Sequence, residues 1–194
     1  LSPALGTICV GLLTTASCFQ VAYWHDSFTL FERALDVTGK NGLIHYNLGV
    51  VLLHEKRYEE SIQEFVTSIA IDSSRANAHN TLGAARHAMG RIEQAVPHFE
   101  EALRIDPTHS AANYNLGSAL TRLGRDAEAL HPLKEAVRLD PQNIEAFFNL
   151  GNALMNTGNL EEAERTYRHV LQLDSKHLDA RLNLGNTLLR AGRV

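Results

Sequence analysis

Tyr114-Asn115-Leu116-Gly117 contains a Leu-Gly pair that recurs at a step of 34 residues through the 194-residue chain, as Leu48-Gly49, Leu82-Gly83, Leu150-Gly151 and Leu184-Gly185. A fixed period of this length without insertions predicts an array of helical hairpins. A single hairpin cannot bury its apolar face alone, so each unit stacks on its neighbours. The fold class is therefore all-α, a solenoid of helix pairs.

The columns around the pair follow one pattern. Downstream of each Gly come a small residue (Ser61, Ala95, Ala129, Ala163), then a large one (Phe65, Phe99, Leu133, Tyr167), then Ser68, Ala102, Ala136 or Val170. The i, i+4, i+7 spacing puts all three on one face of a second helix, small where helices touch and large where a gap is filled. Asp72, Asp106-Pro107, Asp140-Pro141 and Asp174 end that helix. Gly90, Gly124, Gly158 and Gly192 are placed to supply a left-handed residue at the end of the first helix. In the first unit Lys56 takes that glycine's place, and Ser61 and Ser68 make its contact face more polar.

These columns resemble the tetratricopeptide repeat (TPR) over residues 24–194, which implies a right-handed superhelix. Repeats are read at 42–75, 76–109, 110–143 and 144–177, with a partial one, first helix only, at 178–194. Trp24, Ser27, Phe31 and Ala34 stand at the offsets of Tyr58, Ser61, Phe65 and Ser68, so 24–41 reads as the second helix of a degenerate repeat and its turn. With no Met at position 1 and an uncovered last helix, the chain reads as an internal fragment of a longer protein.

Residues 1–23 differ in composition. No charged residue occurs from Leu1 to Trp24, and about 20 apolar residues suffice to span a bilayer, with Tyr23-Trp24 suited to its interface. Ser2, Pro3, Thr7, Thr14, Thr15, Ser17 and Gln20 dilute the pattern, so a packed repeat helix or a signal peptide remain alternatives. The expectation is a last transmembrane span running straight into the array. That junction resembles those of the transmembrane and TPR-containing O-mannosyltransferases and their bacterial relatives. The resemblance implies a lipid-linked sugar glycosyltransferase upstream and an array on the lumenal or periplasmic side; a cytoplasmic array is the alternative.

Composition excludes some partners. The chain is 44% hydrophobic and 21% charged with a formal net charge of −4, which gives no reason to expect nucleic acid. Cys9 and Cys18 would lie roughly 13.5 Å apart along a helix, beyond disulfide reach. Ten histidines are scattered with no i, i+4 pair, and no Cys-x-x-Cys or phosphate loop occurs. No catalytic residue, metal or cofactor is expected. His54 and His87 fall on the inner face and are ligand candidates; His98, His109, His131, His169 and His177 read as surface or interface residues.

In the resembled family the first helix of each repeat lines a concave groove. Carried onto this sequence, that groove comprises Tyr46, Asn47, Asn80, His87, Tyr114, Asn115, Ser118, Arg122, Phe148, Asn149, Asn152, Asn183 and Asn186. Arg122 and Arg190 balance Glu145 and Asp179, so the face is neutral and would not steer a strongly charged ligand. Columns that could clamp a terminal carboxylate hold no Lys or Arg. Asn47, Asn115, Asn149 and Asn183 form a row similar to the asparagine ladder of O-GlcNAc transferase. Two roles fit it: an amide both donates and accepts, which suits an extended peptide backbone, or it ties adjacent helices. Each mid-helix Asn costs roughly 0.5 kcal/mol relative to Ala, so some compensating role exists. The expected function is a scaffold binding an extended polypeptide, with substrate recruitment for an upstream glycosyltransferase, or a structural spacer, as alternatives.

Overall fold

The computed structural model describes residues 27–38 and 41–193. Within them the chain is helical throughout, with ten helices and no strand. The expected membrane span at 1–23 lies outside the described residues; among those described, no helix is long and apolar enough to cross a membrane. The chain divides into two compact units, Leu1–Ser73 and Ser74–Val194.

The first unit holds α1 (Ser27–Thr38), α2 (Gly42–His54) and α3 (Tyr58–Ile71). Its core is Leu48, Leu52 and Phe65. The polar contact face expected of α3 is satisfied internally: Ser61 Oγ donates to the Gly49 carbonyl at 2.8 Å and Ser68 Oγ to that of Gly42 at 2.7 Å. Both hydroxyls are fully buried, and the bonds remove the penalty of burying them.

The second unit contains α4 (Ala76–Ala88), α5 (Ile92–Ile105), α6 (Ser110–Arg122), α7 (Asp126–Leu139), α8 (Ile144–Asn156), α9 (Leu160–Leu173) and α10 (Leu178–Arg190). Its core repeats by column. Leu82, Leu116 and Leu150 from the first helices meet Phe99, Leu133 and Tyr167 from the second, with fully buried Ala95, Ala129 and Ala163 between them. The Leu-Gly glycine allows the close approach. A Cβ on Gly117 would lie 2.4 Å from Leu133 Cγ, and one on Gly151 would lie 2.6 Å from the Tyr167 ring.

Two local devices repeat with the period. At the end of each first helix a left-handed residue lets the following N–H reach back, as in Arg91 N to Arg86 O at 3.0 Å and Arg125 N to Leu120 O at 2.9 Å. Lys56 fills this role in the first unit at φ 62°, at the steric cost of a Cβ that glycine avoids. At the end of each second helix the Asp turns the chain, its Oδ1 accepting the backbone N–H two residues on: Asp106 from Thr108, Asp140 from Gln142, Asp174 from Lys176.

Candidate functional site

In the second unit the first helices of successive repeats pack directly, α4 on α6, α6 on α8 and α8 on α10. The second helices α5, α7 and α9 pack their backbones only against first helices among the described residues, and α7 reaches α9 through the long exposed side chains of Lys134 and Glu162, Nζ to Oε1 at 2.9 Å. Elements that approach one another lie on the shorter arc, so α4, α6, α8 and α10 form the concave side.

The first helices α2, α6, α8 and α10 start at side-chain caps, and two of these caps also reach a neighbouring repeat. His109 Nδ1 accepts the Ala112 N–H, which puts the ring proton on Nε2, and Nε2 donates to Asn77 Oδ1 on α4 at 2.7 Å. His177 Nδ1 accepts from Ala180 N, and its ring lies 4.8 Å from that of Phe148. Asn143 and Asn41 cap their helices through Oδ1. Residues 41, 109, 143 and 177 stand in one 34-residue column of Asn and His, whose remaining member, Arg75 before α4, makes no side-chain cap. That column is the sequence signal for a capping role; His109 and His177, expected as surface or interface residues, are helix caps.

On the inner face, Asn115 Nδ2 donates to Asn80 Oδ1 at 2.9 Å, joining α6 to α4. The Asn149 amide on α8 lies beside the Tyr114 hydroxyl on α6 and opposes the upward push of burial on that phenol. Asn183 Nδ2 donates to Asn152 Oδ1 at 2.9 Å, and the same oxygen accepts from the Tyr167 hydroxyl at 2.7 Å. The amide row thus ties α6 to α4 and α10 to α8. Asn80 is buried, while Asn115, Asn149, Asn152 and Asn183 are half-buried.

The floor also carries half-buried Tyr114, Ser118 and Phe148. Burial first, and then the Glu145 carboxylate, raises the Tyr114 phenol, so it stays a neutral hydroxyl. His87 Nε2 accepts from Arg122 Nη1 at 3.5 Å, and burial followed by the Arg122 charge lowers the imidazole, keeping it neutral. Arg122 itself is exposed, as is Asn186. Leu182 and Leu189 of α10 are 64% and 60% exposed on this side. Exposed Glu145 and Asp179 stand at the starts of α8 and α10, and exposed Arg122 and Arg190 at the ends of α6 and α10. A neutral floor therefore runs between an acidic edge and a basic edge.

Tyr46 and Asn47 belong to α2 in the first unit, where both are half-buried and the Tyr46 ring lies 5.9 Å from Phe65. His54 is exposed at the end of the same helix. Among the described residues no group of three or more His, Cys, Asp or Glu side chains could hold a metal ion.

Comparison with known proteins agrees with this geometry. The tetratricopeptide repeat pattern matches residues 41–108, 74–142 and 144–177. Among solved structures, the chain resembles YrrB, described as a TPR protein with an unusual peptide-binding site, at 28% identity and a TM-score of 0.80, over 84% of each chain. It shares its fold with MamA from Desulfovibrio magneticus RS-1 at 22% identity and a TM-score of 0.74, over 80% of this chain and 88% of that one. No curated protein matches. With the 34-residue period, the paired helices and the pattern match over most of its length, the chain belongs to the tetratricopeptide repeat family.

Proposed function

We propose that this chain is a non-catalytic interaction scaffold that holds an extended polypeptide along the inner face of α4, α6, α8 and α10. The observation that carries the reading is the composition of that face. Tyr114, Phe148 and exposed Leu182 offer apolar contact at successive repeats, while Asn186 and Ser118 offer hydrogen bonds between them. Similarity to YrrB, with its peptide-binding site, supports the same role. The balance of Glu145 and Asp179 against Arg122 and Arg190 favours a ligand of mixed or low charge.

The ties found for Asn115 and Asn183 change which residues test the proposal. Removing them would loosen the inner helices as well as any ligand contact, so exposed groups separate the two effects. Peptides selected on the wild-type protein from a random unstructured library would be titrated by fluorescence anisotropy against Leu182→Ala/Asn186→Ala and against an outer-face control, Arg168→Ala. The expected result is a loss of about 1–3 kcal/mol for the inner pair, from apolar contact and one or two hydrogen bonds, with an unchanged melt. Equal affinity in all three proteins overturns the proposal.

Recruitment of the protein substrate of an upstream glycosyltransferase is the alternative reading; the proposal itself includes attachment to a membrane through residues 1–23, with the array on the extracytoplasmic side. Its support is the charge-free run from Leu1 to Trp24 joined directly to the repeat-like offsets of 24–37.

A further inference from the structure

On the opposite side of the second unit, between α5, α6 and α7, lies a cavity of about 440 Å³, within the range of pockets that hold a ligand group. Its floor is apolar: Leu103, Leu116 and the rings of Pro107 and Pro132. Glu100 and Glu135 stand on its rim from different helices, with His131 beside them.

The cavity has an identifiable cause. Asn113, Pro132 and Glu135 occupy positions held one repeat later by Phe147, Thr166 and His169. There the Phe147 and His169 rings pack edge to face at 4.4 Å. One repeat earlier, His79 and His98 take the positions of Asn113 and Pro132, their rings 6.3 Å apart. Both neighbouring junctions hold a pair of aromatic rings that this one lacks: Asn113 and Pro132 replace the earlier pair, Asn113 and Glu135 the later one, while Glu101 keeps the carboxylate one repeat earlier. Asn113 is 4% exposed and commits Nδ2 to the carbonyls of Pro107 and His109, so its oxygen is the part left to accept a bond.

We propose that this outer cavity is a second binding site, which takes a single arginine side chain of a partner protein. The aliphatic stem would lie on Leu103, Leu116 and Pro132, as long cationic side chains cover apolar surface while keeping the charge at a polar rim. The acceptors there, Glu100, Glu135 and the Asn113 oxygen, suit a planar donor fork better than a strongly hydrated ammonium. Glu135 already accepts from one guanidinium, Arg138 Nε at 2.9 Å on Oε2, which leaves Oε1 for another. The site is separate from the inner face and does not depend on what binds there.

The probe is N-acetyl-arginine methylamide, titrated into the whole chain while backbone amide shifts are followed by NMR. N-acetyl-norleucine methylamide serves as the probe with a stem and no cation. Saturable shifts centred on Leu103, Asn113 and Leu116 with the arginine compound alone are expected. Glu100→Gln/Glu135→Gln should weaken them by about tenfold or more, the effect of making charge-assisted bonds neutral. Asn113→Phe/Glu135→His, which copies the next junction, should abolish them, and Leu182→Ala on the inner face should leave them unchanged. Shifts that fail to saturate, that norleucine reproduces, or that survive the glutamine pair overturn the proposal. The glutamine pair decides the matter even if the ring-filling variant does not fold.

Discussion

Replacing Gly117 with alanine tests the close packing on which every hairpin rests. The new Cβ would lie 2.4 Å from Leu133 Cγ and 2.7 Å from Cδ2, whereas carbon atoms rest at about 3.5–4.0 Å. Leu133 must therefore move by about 1.1 Å or more, yet it is fully buried against its neighbours. Overpacking of this kind costs about 1–3 kcal/mol. Alanine at a mid-helix glycine gains about 1 kcal/mol of helix propensity, so the net expectation is a loss of up to about 2 kcal/mol. Gly185 is the internal control. It has the same column and the same helical position, but no atom lies within 4 Å of its added Cβ. Gly185→Ala should keep the propensity gain alone and stabilise by up to about 1 kcal/mol. The assay is thermal and urea unfolding followed by circular dichroism, with about 2–4 °C expected per kcal/mol in a chain of this size. The two variants should shift in opposite directions. If both rise, or both fall alike, the glycine column does not act through contact with the second helix.

Two further perturbations bear on the junctions. His109→Ala removes the cap on α6 and the bond to Asn77, and should cost about 0.5–2 kcal/mol, while His109→Asn restores the capping acceptor and most of the loss; urea midpoints of the two variants compare them. His98 is held down to about 4 from 6.5 by burial first, then by Arg86 and His79. The unfolded chain therefore takes up this proton before the folded one does. Its contribution is fully present above pH 6.5 and is lost as pH falls from there toward 4, so His98→Gln should flatten the stability profile in that window, measured by urea midpoints at several pH values.

Much of this architecture is legible without coordinates because it is local. A hairpin's own 34 residues set its helix lengths, its left-handed turn and the small and large residues of its contact face. The same information recurs four times, so the pattern rises above chance variation at any one position. Lys56 at φ 62° follows from its place in the glycine column alone. What the period could not decide is how neighbouring units use their polar groups. Asn115 could face a ligand or an adjacent helix on sequence grounds. Only the placement of α4 beside α6 brings Asn80 Oδ1 within 2.9 Å of its Nδ2 and assigns a tie. The bond of His109 to Asn77 likewise depends on residues 32 apart meeting in space, whereas its cap on Ala112 is local. The outer cavity arises from residues that look harmless in their separate columns: Asn113 where both neighbouring repeats have a ring, Pro132 where the preceding one has His98, Glu135 where the following one has His169. Their joint effect is a missing volume, and volume is a property of packed neighbours rather than of any single column.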